Sequence, residues 1–400
     1  MSREFIDFIL QHEHEDTARL LLSAARYPDI DMPLAVQQIE GRRTAREKWP
    51  GLLECEEVLY PPRLNREQAS SEATARHKAT LLSDLQPPTS AITTVADLTG
   101  GMGIDTLAFA RVAEHVDYVE RSPDLCALMA HNLRALGITN VSVHCADSLE
   151  WLQQQDRHFD LLFVDPARRD KQGRKVAAFE DCAPDILAHQ KLLLSKGKEI
   201  MVKASPMIDI TLGASQLAGV SDIHVIAVQG ECKEVLFRCG KPDGEPFIHC
   251  DHLHHGEVDE FAFSREDEAR AQATYASEMK KYLYEPNAAL MKAGPFKLIS
   301  QREGLEKLAQ HTHLYTDDRL LQHFPGRIFS VLAEVSPSRK AVAEAIPDGK
   351  AHVVTRNYPV PAADLQKQLG LREGGHLFVI ATTLGSRLTA FFCELIPFTP

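Results

Sequence analysis

From Ile92 to Gly240 the sequence alternates short apolar runs with amphipathic stretches, and this alternation restricts the fold more than any other feature. The runs are TTVADL, HVDYVE, VSVHCAD, FDLLFVDP, KEIMVKAS, IHVIAV and EVLFRC. Strands separated by helical patterns of roughly 10 to 15 residues build βαβ units, and hence a mainly parallel sheet with helices on its faces. Only QGECK separates the last two runs, which predicts an antiparallel hairpin closing the sheet. Residues 1 to 90 instead carry helical periodicity, as in Phe5, Phe8 and Ile9, then Leu20, Leu21 and Leu22. Beyond Gly240, a stretch of Pro, Gly, His and acidic residues reads as a connector with a strand at FAFS. Further on, GRIFSVLAEV, KAHVVTRNYP, HLFVIATTL and RLTAFFCELI read as strands and PAADLQKQLG as a helix. The fold class expected is α/β: a Rossmann-like sheet with an N-terminal helical region and small α+β C-terminal domains.

Charge at first argues against a polyanionic partner, because the chain carries a net −12. Its distribution reverses that argument. Lys280 to Pro400 hold 15 basic and 11 acidic residues, a net of +4, which leaves −16 for residues 1–279. The eight cysteines form no Cys-x-x-Cys pair and read as reduced thiols of a cytoplasmic protein. The N-terminus lacks a signal-peptide apolar core, and no stretch approaches the ~18 consecutive apolar residues of a spanning helix, so no membrane association is expected.

The sharpest local feature is VADLTGGMGIDTLAFA, a strand, a glycine turn and an amphipathic helix. Gly100, Gly101 and Gly103 allow a tight turn and close approach of a ligand to the backbone. Carboxylates then recur at successive strand ends: Asp97, Glu120, Asp147 and Asp165. In a doubly wound sheet these ends line one crevice. Each acid alone reads equally well as a helix cap or a solvated turn; four in series point to a ligand. A dinucleotide oxidoreductase shares the glycines and the second-strand acid. The Asp165-Pro166 step and the hairpin ending separate the two readings.

Asp97-Leu-Thr-Gly-Gly-Met-Gly103, Glu120, Asp147, Asp165-Pro-Ala-Arg168 and the hairpin ending resemble class I S-adenosylmethionine (SAM) methyltransferases over residues 95–240. With SSEATARHKA, KASPM, YLYEPNAALMKAGPFKLI, HLYTDD and the C-terminal strands, the chain from about residue 65 is similar to a family of bacterial methyltransferases carrying a ferredoxin-like and then a THUMP-like domain. The implied division is a helical region at 1–90, a methyltransferase domain at 91–240, a connector and ferredoxin-like domain at 241–318 and a THUMP-like domain at 319–400. The resemblance implies SAM as cofactor, held by Asp97, Thr99, Gly100, Gly101, Gly103, Asp105, Glu120, Asp147 and Asp165. Asp97 and the glycines would take its methionine part, Glu120 the ribose hydroxyls and Asp147 the adenine amino group. Asp165 and Arg168 would be catalytic, with Arg168, Arg169 and Lys203 on the substrate side. RNA, such as tRNA or rRNA, is the implied partner through the C-terminal domains. A protein or small-molecule substrate and a non-catalytic RNA-binding role remain as alternatives.

The loop DPARR resembles that of RNA methyltransferases. Those that methylate pyrimidine carbon 5 carry a Cys after the fifth strand, because an unactivated carbon needs covalent help. Here Ala204 and Ser205 stand there, which argues for a nitrogen or oxygen target. Arg168 replaces the aromatic that stacks on a flipped base in amino-methylating enzymes. Arg168, Arg169, Lys171, Arg174 and Lys175 form a basic loop suited to phosphate, or to water. Upstream, Ser70 or Ser71 suits a helix cap, while Gln68, Ser71 and Lys78 are also placed to reach a SAM carboxylate. In the C-terminal third, phosphate binding would require residues such as Lys280, Lys281, Lys292, Lys297, Arg319, Arg327, Arg339, Lys340 and Arg356 to cluster on one face. His249, His252, His254 and His255 match no common zinc spacing, so this segment reads as a surface loop and no metal is expected.

Overall fold

The computed structural model describes residues 2–82, 94–168, 179–180, 182–240, 244–254 and 256–397. The chain forms two compact units, residues 1–223 with 234–244 and residues 224–233 with 245–400.

The first unit opens with α1 (Arg3–Gln11), α2 (Thr17–Leu22), α3 (Met32–Lys48), α4 (Arg63–Gln68) and α5 (Glu72–Leu81). The starts are set by capping side chains. Asp31 accepts from the Leu34 N–H ahead of α3, and Ser71 accepts from the Thr74 N–H ahead of α5. The sheet region then runs β1 (Thr94–Asp97), α6 (Ile104–Phe109), β2 (His115–Glu120), α7 (Pro123–Ala135), β3 (Val141–Cys145), α8 (Ser148–Gln153) and β4 (Phe159–Val164). A two-residue pairing of β5 (Ala167–Arg168) with β6 (Cys182–Ala183) follows, then α9 (Gln190–Lys196), β7 (Gly197–Ala204), α10 (Ile210–Gln216), β8 (Val220–Val228) and β9 (Glu231–Cys239). The strand order β3-β2-β1-β4-β7-β9 is parallel as far as β7, and β9 returns antiparallel beside it. Every residue of β4 is buried, as expected for a central parallel strand covered on both faces.

The expected hairpin of β8 and β9 is present, but it does not close the sheet. Its tip, residues 224–233, belongs to the second unit, where β8 lies beside β10 (Phe247–His254), paired in turn with β11 (Glu257–Ser264). The strand expected at FAFS is present as the end of β11, but the polar connector and the His-rich surface loop are overturned, because His249 to His254 lie within β10. The reason is that β10 buries side chains on both of its faces. Ile248, Cys250 and Leu253 of β10 are buried, and so are Phe261 and Phe263 of β11. A capping box at Ser264 and Asp267 then starts α11 (Arg265–Arg270).

The rest of the second unit comprises β12 (Thr274–Tyr275), β13 (Tyr282–Pro286), α12 (Ala288–Ala293), α13 (Phe296–Glu303), β14 (Glu306–Ala309), β15 (Thr312–Asp317), β16 (Gly326–Val335), α14 (Arg339–Ala345), β17 (His352–Arg356), α15 (Ala362–Leu369), β18 (Leu377–Leu384) and β19 (Arg387–Leu395). One sheet of order β12-β14-β15-β13-β16-β19-β18-β17 joins the strands from β12 onward. Its two sides carry separate cores, one around Leu283, Leu314, Phe329 and Phe391, the other around Val342, Leu365, Leu369 and Val379. Among the described residues, no helix is long and apolar enough to cross a membrane.

In α3, Gly41 makes room for the fully buried Tyr60: a Cβ there would stand 2.3 Å from the Tyr60 Cβ. Replacing a mid-helix glycine by alanine ordinarily gains about 0.5–1 kcal/mol, whereas overpacking a filled core costs about 1–3 kcal/mol. The clash is between atoms close to both backbones and has little freedom to relax. Gly41→Ala is expected to lower the denaturant midpoint, with a net loss of about 1–2 kcal/mol; a midpoint that rises would show that Tyr60 yields.

Candidate active site

The glycine turn between β1 and α6 is shaped by what packs on it. A Cβ on Gly100 would lie 2.2 Å from Cε2 of Tyr118, whose hydroxyl donates to the Gly101 carbonyl at 2.7 Å. Gly103, at φ +86°, starts α6 in a left-handed conformation, and a Cβ there would meet Met129 Sδ at 2.5 Å. The turn is thus clamped on Tyr118 and Met129 in a form that excludes side chains.

The four strand-end acids divide into two kinds. Asp97 turns inward and is 1% exposed. It accepts from Thr106 Oγ1 at 2.6 Å and from the Thr99 N–H at 3.1 Å. Burial outweighs these hydrogen bonds and lifts its carboxyl to about 7. Glu120, at the end of β2, accepts from the Gly101 N–H at 3.0 Å and the Ser122 N–H at 2.8 Å and stays partly exposed. Asp147 is exposed and caps α8 through the N–H groups of Leu149 and Glu150. Asp165 follows β4, and its N–H donates to Thr99 Oγ1 at 2.7 Å, tying this loop to the glycine turn. Glu120, Asp147 and Asp165 therefore keep carboxylate oxygen accessible on the C-terminal edge of the sheet, while Asp97 serves the turn from within.

Behind this edge lies a buried polar cluster. Ser70 Oγ donates to Asp105 Oδ2 at 2.7 Å and accepts from Lys78 Nζ at 2.9 Å and Lys203 Nζ at 3.1 Å. Lys78, fully buried, also meets Glu234 Oε1 at 2.8 Å and Asp105 Oδ1 at 2.9 Å. Lys203 donates to Asp165 Oδ2. Burial alone would discharge Lys203; the carboxylates of Asp165, Glu234 and Asp105 outweigh it and hold its ammonium well above the usual lysine range. Asp105 is likewise held below the ordinary carboxylate value, because Lys78 and Lys203 outweigh its burial. The Trp49 indole N–H donates to the Ser70 carbonyl at 2.7 Å, so the helical region fixes this serine.

These positions correct part of the sequence analysis. Lys78 does not face a ligand carboxylate; two protein carboxylates occupy it, and of the two serines suited to a helix cap Ser71 caps α5. Asp105 and Lys203, expected at the cofactor and the substrate, are joined through Ser70 in one network. The importance of Ser70 and Glu234 escaped sequence reasoning, since a lone Ser and a strand Glu carry no pattern. Arg168 is described only in its backbone, paired with Cys182, and Arg169, Lys171, Arg174 and Lys175 lie outside the described residues. In the second unit the structure brings Arg327 and Arg356 together on the buried Glu285, and pairs Lys280 with Glu306 and Arg319 with Asp317.

Comparison with known proteins agrees with this architecture. Residues 73–214 match the family described as Conserved hypothetical protein 95, residues 282–325 a ferredoxin-like domain and residues 326–395 a THUMP domain-like family. The solved structure of a "putative methyltransferase" from Porphyromonas gingivalis W83 is 29% identical, with 98% of each chain covered and a TM-score of 0.85. A second solved structure, "Putative methyltransferase yhhF from Escherichia coli", is 20% identical over 42% of this chain and 88% of that one, with a TM-score of 0.30. Among curated proteins, the 23S rRNA (uracil(1939)-C(5))-methyltransferase RlmD of Hahella chejuensis is 31% identical over 160 residues, 35% of this chain. The chain spans about a third (34%) of that relative's length. Sheet order, glycine turn and matched segments give this chain the fold of the putative methyltransferase from Porphyromonas gingivalis. Its ferredoxin-like and THUMP-like matches follow the first unit's sheet in sequence, and the likeness to the Porphyromonas gingivalis structure runs over nearly the whole chain.

Asp97 gives a pH prediction. Its folded value of about 7 lies above its ordinary 3.8, so the native state binds the proton more tightly. This contribution to stability is full below pH about 4 and is lost as pH rises through 7. Asp97→Asn is expected to flatten that fall. Urea midpoints at pH 5 and 8 check it, and identical slopes for both proteins would contradict it.

Proposed function

We propose that this chain is a class I SAM-dependent methyltransferase acting on RNA, either tRNA or rRNA, at a nitrogen or oxygen atom. The observation that carries the reading is the row of accessible carboxylates Glu120, Asp147 and Asp165 at the C-terminal ends of β2, β3 and β4, flanking a turn too tight for side chains. The residues fit SAM. Glu120 retains lone pairs for two ribose hydroxyls, and Asp147 has a second oxygen for an amino donor. The glycine turn offers backbone where Gly100 and Gly103 exclude a Cβ. When bound, SAM supplies an electrophilic methyl on sulfonium, so the protein's task is alignment. Lys203 holds one oxygen of Asp165, leaving the other to orient the nucleophile or accept its proton.

RNA is supported by the THUMP-like segment and by the rRNA-modifying relative. On this reading the chain divides into a helical region (1–90), a methyltransferase domain (91–240), a segment that carries β10, β11 and the ferredoxin-like domain (241–318) and a THUMP-like domain (319–400), in a cytoplasmic protein. The relative's uracil carbon-5 chemistry is the second reading. Ala204 ends β7 and Ser205 follows it, where a thiol nucleophile would be needed, and Cys182, opposite Arg168, is buried.

Calorimetry with SAM is expected to show saturable binding that Glu120→Gln weakens at least about tenfold, the loss of one charge-assisted contact. Asp165→Asn should keep SAM binding yet transfer about a hundredfold less labelled methyl to RNA from cells lacking the gene. Label only in protein would overturn the RNA assignment. Loss of transfer in Cys182→Ser with Asp165→Asn unimpaired would favour carbon 5.

A further inference from the structure

The histidine segment that the methyltransferase reading leaves unused becomes a different object once β10 is a strand. His252 and His254 stand two residues apart and so share one face of β10. The register pairs His252 directly with Asp259 of β11 and His254 with Glu257, which sets Asp259 on the same face between the two rings. Their rings stack at 4.9 Å between centroids. His254 Nε2 lies 2.7 Å from Asp259 Oδ2, and His252 Nδ1 lies 3.8 Å from the same oxygen. One ligand atom from each of the three residues falls within 4.8 Å of the others.

We propose that His252, His254 and Asp259 form a binding site for a borderline divalent transition metal ion such as zinc, cobalt or nickel. Two imidazoles and a carboxylate are the ligand set those ions favour, with bonds of ~2.0–2.2 Å and a remaining position for water. In a tetrahedral shell with such bonds ligand atoms stand ~3.4 Å apart, so His254 and Asp259, now at 2.7 Å, would open and His252, now at 3.8 Å from Asp259, would close on the ion. The unsatisfied state of His252 supports the assignment: Nδ1 is buried, has no hydrogen-bond partner and lies beyond hydrogen-bonding distance of Asp259. Its other ring nitrogen accepts the Gly230 N–H at 3.2 Å. In the metal-free protein the ring proton therefore sits on Nδ1. On metal uptake it exchanges to Nε2, and the long contact to Gly230 is given up.

All three residues project from one hairpin, so the ion would act as a clip between β10 and β11. The spacing that matches no zinc pattern in a loop matches strand geometry, where positions 252 and 254 face the same way and the third ligand comes from across the ladder.

The test uses the full-length, tag-free protein after chelator dialysis. Titration with Co(II) is expected to give a visible d–d band saturating at one equivalent, and Zn(II) to raise the melting temperature. Asp259→Asn and His254→Gln should each weaken Co(II) binding at least about tenfold and abolish the zinc-induced shift. His376→Ala, at an exposed site, should behave as wild type. No saturable binding by the wild-type protein, or equal binding by wild type and both site variants, would overturn the proposal. Circular dichroism of the metal-free variants confirms that they are folded, and SAM calorimetry reads the cofactor site separately, so the two proposals can fail independently.

Discussion

Ser70 is the point on which the candidate active site depends. Its hydroxyl donates once and accepts twice, from Lys78 and Lys203, and so uses its whole hydrogen-bonding capacity. Around it two lysines face the carboxylates of Asp105, Glu234 and Asp165, a cluster short of one positive charge and withdrawn from water except at Asp165. Such clusters rarely add net stability, because desolvation of each ion costs several kcal/mol. What they add is position: removing one member leaves its partner charged and buried, typically at a loss of about 3–5 kcal/mol. The arrangement therefore has few alternatives. It ties the first turn of α6, the loop after β4, strand β7 and strand β9 to a serine that Trp49 anchors from the helical region.

This explains how the N-terminal helices matter to a site made of sheet residues. The pathway runs from α3 through the Trp49 indole to the Ser70 carbonyl, then through the Ser70 hydroxyl to Lys203, and from Lys203 to Asp165. The other side of the same site is held by Thr99, which links the glycine turn to the Asp165 N–H. Asp165 is thus fixed through both its backbone and its side chain. A carboxylate that must meet a reacting atom gains from such restraint, since misplacement by about 1 Å can cost a hundredfold in rate.

Much of this was legible in the sequence. The seven apolar runs between Ile92 and Gly240 each fall on a strand; the reason is plainest in β4, a central parallel strand buried along its whole length and so written in mostly apolar residues. The helix caps at Ser71 and Asp147 follow from local chemistry alone. The His249 to His254 segment was illegible for the opposite reason. It is a half-buried strand written in histidine and aspartate, whose partner lies in a second strand of similarly mixed polarity. Only the ladder with β11 reveals its faces. The inward turn of Asp97 was equally hidden, since a strand-end acid looks the same whether its partner is water, ligand or Thr106.

The hairpin of β8 and β9 has a consequence for how the chain can be divided. Its ten-residue tip, 224–233, belongs with residues 245–400, while its base belongs with the chain before it. The two units are therefore interleaved rather than consecutive. No single cut releases both whole: cleavage between 240 and 245 deprives the later unit of its earliest-made piece. During synthesis that piece leaves the ribosome before any of its partners, so the second unit cannot be completed until the C-terminal strands arrive. Genes for such a protein cannot exchange the C-terminal segment as a simple cassette without also matching the hairpin embedded upstream.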